Sequence, residues 1–377
     1  MRRRILFILG TRPEAIKLSP LILRLQRSPE DFSVDVCVTA QHRGMLDQVL
    51  NAFAIQPRYD LNLMRPGQTL YQSTSRIIAA LEPVFAEARP DLTLVQGDTT
   101  TTFCAALASF YSGVPVGHVE AGLRTGDLRQ PFPEEMNRVF ASRLAALHFA
   151  PTRGAAENLA KEGITRNVCV TGNTGIDAVL HVRARLERGE LSVPPLPVIR
   201  ADKRLVLVTA HRRESFGEGF ERICRGLAEI ANRGDVQVVY PVHPNPNVQE
   251  PVNRFLRSHP NIALIEPMDY VPFVDLMRRA YIILTDSGGI QEEGPSLGKP
   301  VIVLREKTER PEAVEAGTVK LAGSDPARMV AEATALLDDP EEYQRMSRVH
   351  NPYGDGHASE RIEAAIREFW SSSMMES

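Results

Sequence analysis

The sequence predicts an α/β protein with two consecutive Rossmann-like, doubly wound domains. Short apolar runs alternate with amphipathic segments of helix length along most of the 377 residues. The runs are continuously hydrophobic, which is typical of parallel strands covered by helices on both faces. A Pro-rich, aperiodic stretch at residues 191–197 interrupts the alternation, which then starts again. A chain of this length is expected to form two domains, and the stretch at 191–197 is the predicted linker.

Six strands and seven helices are predicted before the linker. The strands are 5–9, 34–38, 92–95, 114–119, 147–149 and 168–170. The helices are 13–26, 44–53, 69–88, 100–112, 134–144, 153–162 and 177–188. Strands separated by helices favour right-handed βαβ crossovers and therefore a parallel, doubly wound sheet.

The same alternation returns after the linker. The strands are 205–208, 236–240, 262–265, 282–284 and 301–304, with helices 219–233, 248–257, 270–280 and 289–297 between them. Three further helices, 326–337, 340–349 and 359–370, close the chain. Because the two sheets follow one another, we expect the carboxyl ends of their strands to face a shared ligand cleft.

The composition excludes several classes of protein. A net charge of −3 disfavours a general polyanion binder, so no nucleic acid partner is expected. Cys37, Cys104, Cys169 and Cys224 lie in apolar stretches without a CxxC pair, which favours reduced, buried thiols over a disulfide or a metal site. The apolar run at 5–9 is too short for a signal peptide, and no stretch approaches the length of a membrane span. We therefore expect a cytoplasmic protein without membrane contact.

Acidic side chains cluster after the strands of the first half, where open α/β sheets bind ligands. Asp98 and Glu120 each follow a strand, and Glu134 starts a helix beside Glu135. Taken alone, Asp98 would more often cap the next helix, and Glu134 or Glu135 could complement a helix dipole. Three such loops at one crevice nevertheless indicate acid/base chemistry, because grouped carboxylates raise one another's pKa.

Cationic residues also lie at strand ends. The first strand–turn–helix start offers free N–H groups to an anion, and Arg12 and Lys17 add positive charge. An equally good interpretation is that Arg12 and Lys17 are solvated cations beside a helix cap. His211 opens a His-Arg-Arg run, which favours phosphate binding over the structural role of a lone histidine. The Pro-rich loop around His243 fits a structural and a functional role equally well.

The strongest local signal is a glycine-containing turn in the second half. Ser287, Gly288 and Gly289 would let backbone N–H groups approach a diphosphate at a helix N-terminus. Glu293 is spaced to reach ribose hydroxyls, as acidic residues do in nucleotide-binding folds. Arg310 starts a later helix and offers another anion contact. A plain turn with solvated charges explains this set less well.

At these residues the sequence resembles the non-hydrolysing UDP-N-acetylglucosamine 2-epimerase family. The matching strings are GTRPEAIK (10–17), TAQHRGMLDQVL (39–50), GDTTTT (97–102), HVEAGLRTGD (118–127), PEEMNR (133–138), GNTGIDA (172–178), HRRESFG (211–217), TDSGGIQEE (285–293), TERPEAVEAGT (308–318) and HNPYGDG (350–356). They span nearly the whole chain. One departure is Met268, where the family commonly has a glutamine.

The resemblance implies a glycosyltransferase-B (GT-B) architecture, in which two Rossmann-like domains face a cleft and the last helix returns to the first domain. The expected domains are 1–188 with 357–377, and 189–356. The implied activity is the reversible conversion of UDP-GlcNAc to UDP-ManNAc by a homodimer that serves cell-surface polysaccharide synthesis. The sequence itself contains no metal-ligand constellation and no GxGxxG nicotinamide fingerprint, so no cofactor or metal is expected.

The resemblance also implies roles for individual residues. The C2 proton of the sugar is not acidic, so the family is thought to eliminate UDP across C1–C2 and add it back after reprotonation on the other face. The implied acid/base set is Asp98, Glu120 and Glu134, with His211 either on the diphosphate or as a further acid. The implied UDP contacts are Arg12, Lys17, Ser287, Gly288, Gly289, Glu293 and Arg310, with Phe273 beside the uracil. An activating second UDP-GlcNAc would use Gln41, His42, Arg213 and His243. Which carboxylate removes the proton stays open.

Three other functions share parts of this pattern. A UDP-sugar-dependent GT-B glycosyltransferase would need an acceptor groove but no acids on both sides of C2. A hydrolysing 2-epimerase would let water capture the intermediate and release free ManNAc. A non-catalytic UDP-sugar sensor would not require the grouped carboxylates.

Overall fold

The computed structural model describes residues 2–39, 43–65, 67–196, 199–308, 310–348 and 350–373. Contacts between Cα atoms divide the chain into two compact units. Unit 1 comprises Met1–Ala178 and Tyr353–Ser377, and unit 2 comprises Val179–Pro352. The first division lies inside a helix, ahead of the Pro-rich stretch at 191–197, and not within that stretch.

Unit 1 is built on a seven-stranded parallel sheet with the strand order β3-β2-β1-β4-β5-β6-β7. The strands are β1 (Arg3–Leu9), β2 (Phe32–Val38), β3 (Tyr59–Asp60), β4 (Leu92–Gln96), β5 (Val116–Val119), β6 (Leu147–Ala150) and β7 (Val168–Val170). Residues 5–9 are at most 1% exposed, as expected for a central strand covered on both faces. The doubly wound arrangement predicted for the first half is therefore confirmed.

Within the described residues of unit 1, seven helices cover this sheet, and an eighth leads out of the unit. They are α1 (Arg12–Gln26), α2 (Arg43–Ala52), α3 (Leu70–Ala88), α4 (Thr100–Tyr111), α5 (Glu134–Leu144), α6 (Arg153–Lys161), α15 (Ala358–Ser373) and the outgoing α7 (Thr174–Glu187). The carboxylate of Asp177 accepts hydrogen bonds from the first backbone N–H groups of α15, at 3.2 Å from Ala358 and 2.7 Å from Ser359. Arg24 of α1 pairs with Glu363 of α15 (2.5 Å), which ties the last helix to the first.

Unit 2 is built on a six-stranded parallel sheet with the order β10-β9-β8-β11-β12-β13. The strands are β8 (Arg204–Thr209), β9 (Val236–Pro241), β10 (Ile262–Ile265), β11 (Ile282–Thr285), β12 (Val301–Val303) and β13 (Val319–Leu321). The helices are α8 (Glu218–Ala231), α9 (Pro246–Leu256), α10 (Tyr270–Arg279), α11 (Gly288–Ser296), α12 (Pro311–Glu315), α13 (Pro326–Asp338) and α14 (Pro340–Arg348). The second doubly wound sheet is thus also confirmed.

Three short elements were not predicted, namely β3, β13 and a single 3₁₀ turn at Arg213–Ser215. Each has at most three residues, which is too few for a hydrophobic period to be recognised. The helix start expected at Arg310 is confirmed, because α12 begins directly after it.

Two expectations from composition can be compared with the structure. Cys37, Cys104 and Cys224 are buried free thiols, whereas Cys169 on the edge strand β7 is only partly buried. Burial raises the pKa of each of the three buried thiols to about 12, so they stay protonated at neutral pH. Across the described ranges, no helix combines the length and apolarity that crossing a membrane requires.

Candidate active site

The predicted acidic site lies where three neighbouring strands of unit 1 end. β1, β4 and β5 are adjacent in the sheet, so the segments that follow them meet at one edge. The turn after β1 packs closely here, because a side chain at Gly10 would collide with the hydroxyl groups of Thr39 and Thr101. A glycine is therefore required at the first turn of the site.

Glu120 follows β5 with a strained backbone and a well-held side chain. Its φ of 64° lies in the left-handed region, which costs a non-glycine residue about 1 to 3 kcal/mol and is concentrated at functional sites. The side chain is 9% exposed, and Oε1 lies 2.5 Å from Nζ of Lys17. Oε2 accepts a hydrogen bond from the amide of Gln96. Glu120 is thus fixed beside a cation.

Asp98 follows β4 and interacts electrostatically with Glu120. Burial raises the pKa of Asp98, the nearby Arg138 lowers it, and the negative charge of Glu120 raises it again. A guanidinium nitrogen of Arg138 donates to Oδ2 of Asp98. The helix-capping role considered for Asp98 belongs instead to Thr99, whose side chain accepts the backbone N–H of Thr102.

The two glutamates at the start of α5 have different surroundings. Glu135 is 1% exposed, and its Oε1 accepts the backbone N–H groups of Thr125 (2.9 Å) and Gly126 (3.1 Å). Glu134, the first residue of α5, is only half-buried. Glu135 therefore has a structural function, and Glu134 stays the acid/base candidate of this loop.

Sequence reasoning missed Glu14, which joins two segments of the site. It is the third residue of a capping box with Thr11, and its carboxylate accepts hydrogen bonds from Gly10 N (3.1 Å) and Thr11 N (2.7 Å). Thr99 and Thr102 of the α4 start also donate to it, at 2.8 and 3.2 Å. Burial raises the pKa of Glu14. The spacing Thr-x-x-Glu was the sequence signal for it.

His118 was also missed as a separate site residue. It is fully buried on β5, and Nε2 lies 2.7 Å from the carbonyl oxygen of Gly97. Because a carbonyl only accepts, Nε2 carries the hydrogen. Burial lowers the pKa of His118 to about 4, so the ring is neutral at pH 7. His118 thus anchors the residue before Asp98.

In unit 2, the start of α11 and Arg310 form an anion-binding arrangement. Ser287 precedes the helix, and among the described residues its side chain makes no capping hydrogen bond. The guanidinium carbon of Arg310 would lie 3.2 Å from a Cβ at Gly288, so the glycine allows the cation to lie over the helix start. Nε of Arg310 is held by Oε1 of Glu292 (2.7 Å). The backbone N–H groups of a helix start, with a fixed cation beside them, suit a phosphate group.

His211 follows β8 and is held by Asp286, which sequence reasoning did not single out. Asp286 is fully buried, and its Oδ2 accepts the backbone N–H groups of His211 (2.6 Å) and Arg212 (2.7 Å). Nδ1 of His211 lies 3.7 Å from the other oxygen. The ring stacks on His243 with centroids 5.3 Å apart. Burial lowers the pKa of His211, whereas the negative charge of Asp286 raises it.

The remaining candidates have these places in the structure. Arg12 is the first residue of α1, and Lys17 contacts Glu120 from the same helix. Phe273 is half-buried on α10, and Glu293 lies on α11. Gln41 and His42 lie outside the described residues. The remaining regulatory candidate, Arg213, is exposed in the 3₁₀ turn.

Unit 1 thus contains two interacting carboxylates, each paired with a cation, and unit 2 contains a helix start suited to phosphate. Neighbouring carboxylates in contact with cations can move protons. Within the described parts of the chain, no group of three or more His, Cys, Asp or Glu side chains is arranged to hold a metal ion.

Known proteins resemble this chain over nearly its full length. The sequence pattern of the family described as UDP-N-acetylglucosamine 2-epimerase matches residues 24–367. A UDP-N-acetylglucosamine 2-epimerase of Salmonella typhimurium is 57% identical over 372 residues, which cover 97% of this chain and 99% of that protein. The crystal structure of UDP-GlcNAc 2-epimerase from Neisseria meningitidis bound to UDP-GlcNAc is 49% identical, covers 97% of this chain and 100% of that one, and has a TM-score of 0.87. The glycosyltransferase of kitacinnamycin, 13% identical over 97% of this chain and 99% of its own with a TM-score of 0.63, shares the fold.

Proposed function

The chain belongs to the UDP-N-acetylglucosamine 2-epimerase family, and on that premise we propose that it interconverts UDP-GlcNAc and UDP-ManNAc by inverting C2 of the sugar. The observation that carries the proposal is the pair of interacting carboxylates, Asp98 and Glu120, at the ends of neighbouring strands. Proton exchange at C2 needs a base on one face and an acid on the other, and two carboxyl groups of different environment can supply both.

The reaction proceeds by elimination and re-addition of UDP. A base takes the C2 proton, the C1–O bond breaks with its electron pair leaving on UDP, and a C1–C2 double bond forms. An acid then delivers a proton to the other face of C2, and the UDP oxygen bonds to C1 again. The departing diphosphate gains negative charge, so cations and N–H groups around it lower the barrier.

We propose the following roles for individual residues. Asp98, Glu120 and Glu134 form the acid/base set, and His211 acts as a further acid or binds the diphosphate. Lys17 lies 2.5 Å from Glu120, so it balances the charge of the carboxylates, and it is also proposed as a UDP contact. The diphosphate binds at the start of α11, through Ser287, Gly288, Gly289 and Arg310. Arg12 adds charge, Glu293 binds the ribose, and Phe273 flanks the uracil.

One experiment distinguishes epimerisation from the alternatives. The purified protein is incubated with UDP-GlcNAc in D2O and followed by NMR. We expect UDP-ManNAc with deuterium at C2 and no net loss of nucleotide sugar. Free ManNAc would instead identify a hydrolysing enzyme. A UDP-sugar that stays unchanged until an acceptor is added would identify a transferase, and binding without turnover a sensor.

We also propose that a second UDP-GlcNAc activates the protein through Gln41, His42, Arg213 and His243. The stacking of His243 on His211 supports this activation, because a ligand that contacts the His243 ring would change the position of the His211 ring. The rate would then depend sigmoidally on UDP-GlcNAc concentration, and the Arg213→Ala variant would respond hyperbolically. A hyperbolic wild-type curve would contradict the activation.

The proposed homodimer is supported by an apolar stripe on α4. Phe103, Leu107, Phe110 and Tyr111 have the spacing of one helix face, and Phe110 and Tyr111 are 61% and 71% exposed. Phe103 and Leu107 are half-buried, and exposed aromatic side chains such as Phe110 and Tyr111 are typical of protein interfaces. We expect light scattering to give the mass of two chains for the wild type and of one for Phe110→Glu. Val170→Glu, at an exposed apolar residue of the edge strand β7, is the control that should stay dimeric.

A cytoplasmic location is proposed as well. The four cysteines are free, which suits a reducing compartment. Nucleotide sugars carry a charged diphosphate, so an enzyme that uses them is best placed where they are made.

A further inference from the structure

Arg138 on α5 lies between two carboxylates. One of its terminal nitrogens donates to Oδ2 of Asp98, and the other, Nη1, lies 3.2 Å from Oε2 of Glu135. The Arg138 side chain is 13% exposed and that of Glu135 is 1% exposed. A guanidinium can contact two carboxylates in fixed directions, which a lysine ammonium cannot do with the same geometry.

The helix that carries Arg138 also fixes the backbone around Asp98. Nδ2 of Asn137 donates to the carbonyl oxygen of Asp98 at 2.9 Å. Glu135 accepts the backbone N–H groups of Thr125 and Gly126, so the same helix is tied to the loop that follows Glu120. The position of Asp98 relative to Glu120 is therefore set through α5.

The charges that face Asp98 come from three elements. Arg138 belongs to α5, Glu120 follows β5, and Lys17 belongs to α1. Burial and Glu120 raise the pKa of Asp98, whereas Arg138 and Lys17 lower it. Lys17 is already in contact with Glu120 at 2.5 Å. Arg138 is thus the cation whose hydrogen bond holds the Asp98 side chain itself.

We propose that Arg138 is a positioning residue, which orients the Asp98 carboxylate for proton exchange at C2. This inference rests on the proposed function of Asp98, and it adds that α5 controls the acid/base group through Arg138, whose side chain is only 13% exposed. Without Arg138, the half-buried Asp98 would lie beside the negative charge of Glu120 with less positive charge nearby. The protonated form of Asp98 would then be favoured.

The test compares Arg138→Gln and Arg138→Lys with the wild type, and uses Arg143→Gln, an exposed arginine of the same helix, as the control. We measure kcat and KM for UDP-GlcNAc from pH 5.5 to 9.5. For Arg138→Gln we expect kcat at pH 7 to fall about 10²-fold and the acidic limb of the kcat profile to move to higher pH, with UDP binding unchanged. Arg138→Lys keeps the charge, so its limb should stay near that of the wild type although kcat falls.

Two results would overturn the inference. A limb that does not move in Arg138→Gln, or a limb that moves equally in Arg138→Lys, would leave Arg138 with a structural function only. Arg143→Gln should behave as the wild type does. If Arg138→Gln fails to fold, Arg138→Lys still tests the inference, because its kcat should fall while the acidic limb of its kcat profile stays near that of the wild type.

A second measurement needs no turnover. The protein is labelled with ¹³C at the aspartate side-chain carboxyl carbons, and the Asp98 signal is assigned by its loss in Asp98→Asn. We expect this signal to titrate at higher pH in Arg138→Gln than in the wild type. If the wild type does not epimerise, the proposed function fails, and this titration still decides whether Arg138 controls Asp98. An unchanged titration would contradict the inference.

Discussion

At the scale of single residues, the site is defined by how its carboxylates are held. Asp98 and Glu120 are each bound to a cation and lie close enough for the charge of one to affect the pKa of the other. The sequence predicted that they would meet, because both follow strands of one parallel sheet. The cations could not be assigned in advance, since Arg138 and Lys17 reach the carboxylates from separate helices.

The first prediction concerns these two carboxylates. Asp98→Asn or Glu120→Gln keeps the size of the side chain and removes its ability to exchange a proton. We expect turnover to fall at least about 10²-fold, with UDP affinity nearly unchanged because the proposed diphosphate contacts are at the start of α11. Turnover by NMR and UDP affinity by calorimetry separate the two effects.

The control is Asp127→Asn, which changes a carboxylate that accepts the backbone N–H of Arg129 (2.9 Å) in the loop after Glu120. It should keep wild-type turnover. Asp98→Asn should also keep its helix α4, because Thr99 is the cap. A large loss of thermal stability in Asp98→Asn would show that the residue acts mainly in folding.

At the scale of elements, two tight backbone approaches shape the site. Gly10 admits the turn after β1 between two threonine hydroxyls, and Gly122 brings the loop after Glu120 against the start of α6. Neither contact was predicted, because it joins segments far apart in the sequence. The strands and helices themselves were predicted with ends that mostly differ by one to three residues, since their apolar periods are long enough to recognise.

The second prediction tests the approach at Gly122. Its φ is 93°, and a Cβ there would lie 2.8 Å from the carbonyl carbon of Ala155. The Gly122→Ala variant should therefore lose about 3 kcal/mol of unfolding free energy from backbone strain and collision together. Gly126 is the matched control, because its φ of 83° is similar and nothing described lies within 4 Å of a Cβ there. Gly126→Ala should lose about 1 kcal/mol, from strain alone.

Urea unfolding followed by tryptophan fluorescence measures both variants. Trp370 is the only tryptophan of the sequence and lies in α15 of unit 1, where it contacts Phe32. Its signal therefore reports the unit that contains both glycines. Equal losses in the two variants would mean that the contact with Ala155 is unimportant.

At the scale of the whole molecule, the sequence predicted two parallel, doubly wound sheets and the family, and each is confirmed. The residues that organise the site were harder to find. Glu135, Arg138 and Asp286 act through contacts with loops that a linear pattern does not pair with them. Patterns along the chain identify elements and motif residues, whereas supporting contacts depend on the three-dimensional arrangement.

The last prediction concerns the acid stability of unit 1. Burial lowers the pKa of His118 from its ordinary value of 6.5 to about 4, and that of His148 likewise. The unfolded chain therefore binds a proton at each histidine between about pH 6.5 and 4, where the folded chain does not. Stability rises with increasing pH wherever the unfolded state binds more protons, so each histidine lowers stability as the pH drops through this window. At about 1.4 kcal/mol per pH unit, the full loss for His118 is on the order of 3 kcal/mol.

Buried acids act in the opposite direction. Burial raises the pKa of Glu14, Asp98 and Asp177, so the cost of burying their charge is relieved as the pH falls. The pH dependence of the wild-type stability therefore sums opposing contributions, and the contribution of His118 is measured by comparing variants. We expect the Trp370 unfolding midpoint of His118→Gln to fall less between pH 7 and pH 4.5 than that of the wild type. His350→Gln, at an exposed histidine, should follow the wild type. Parallel losses in His118→Gln and the wild type would mean that His118 is protonated in the folded chain and that its ring is not a neutral anchor for Gly97.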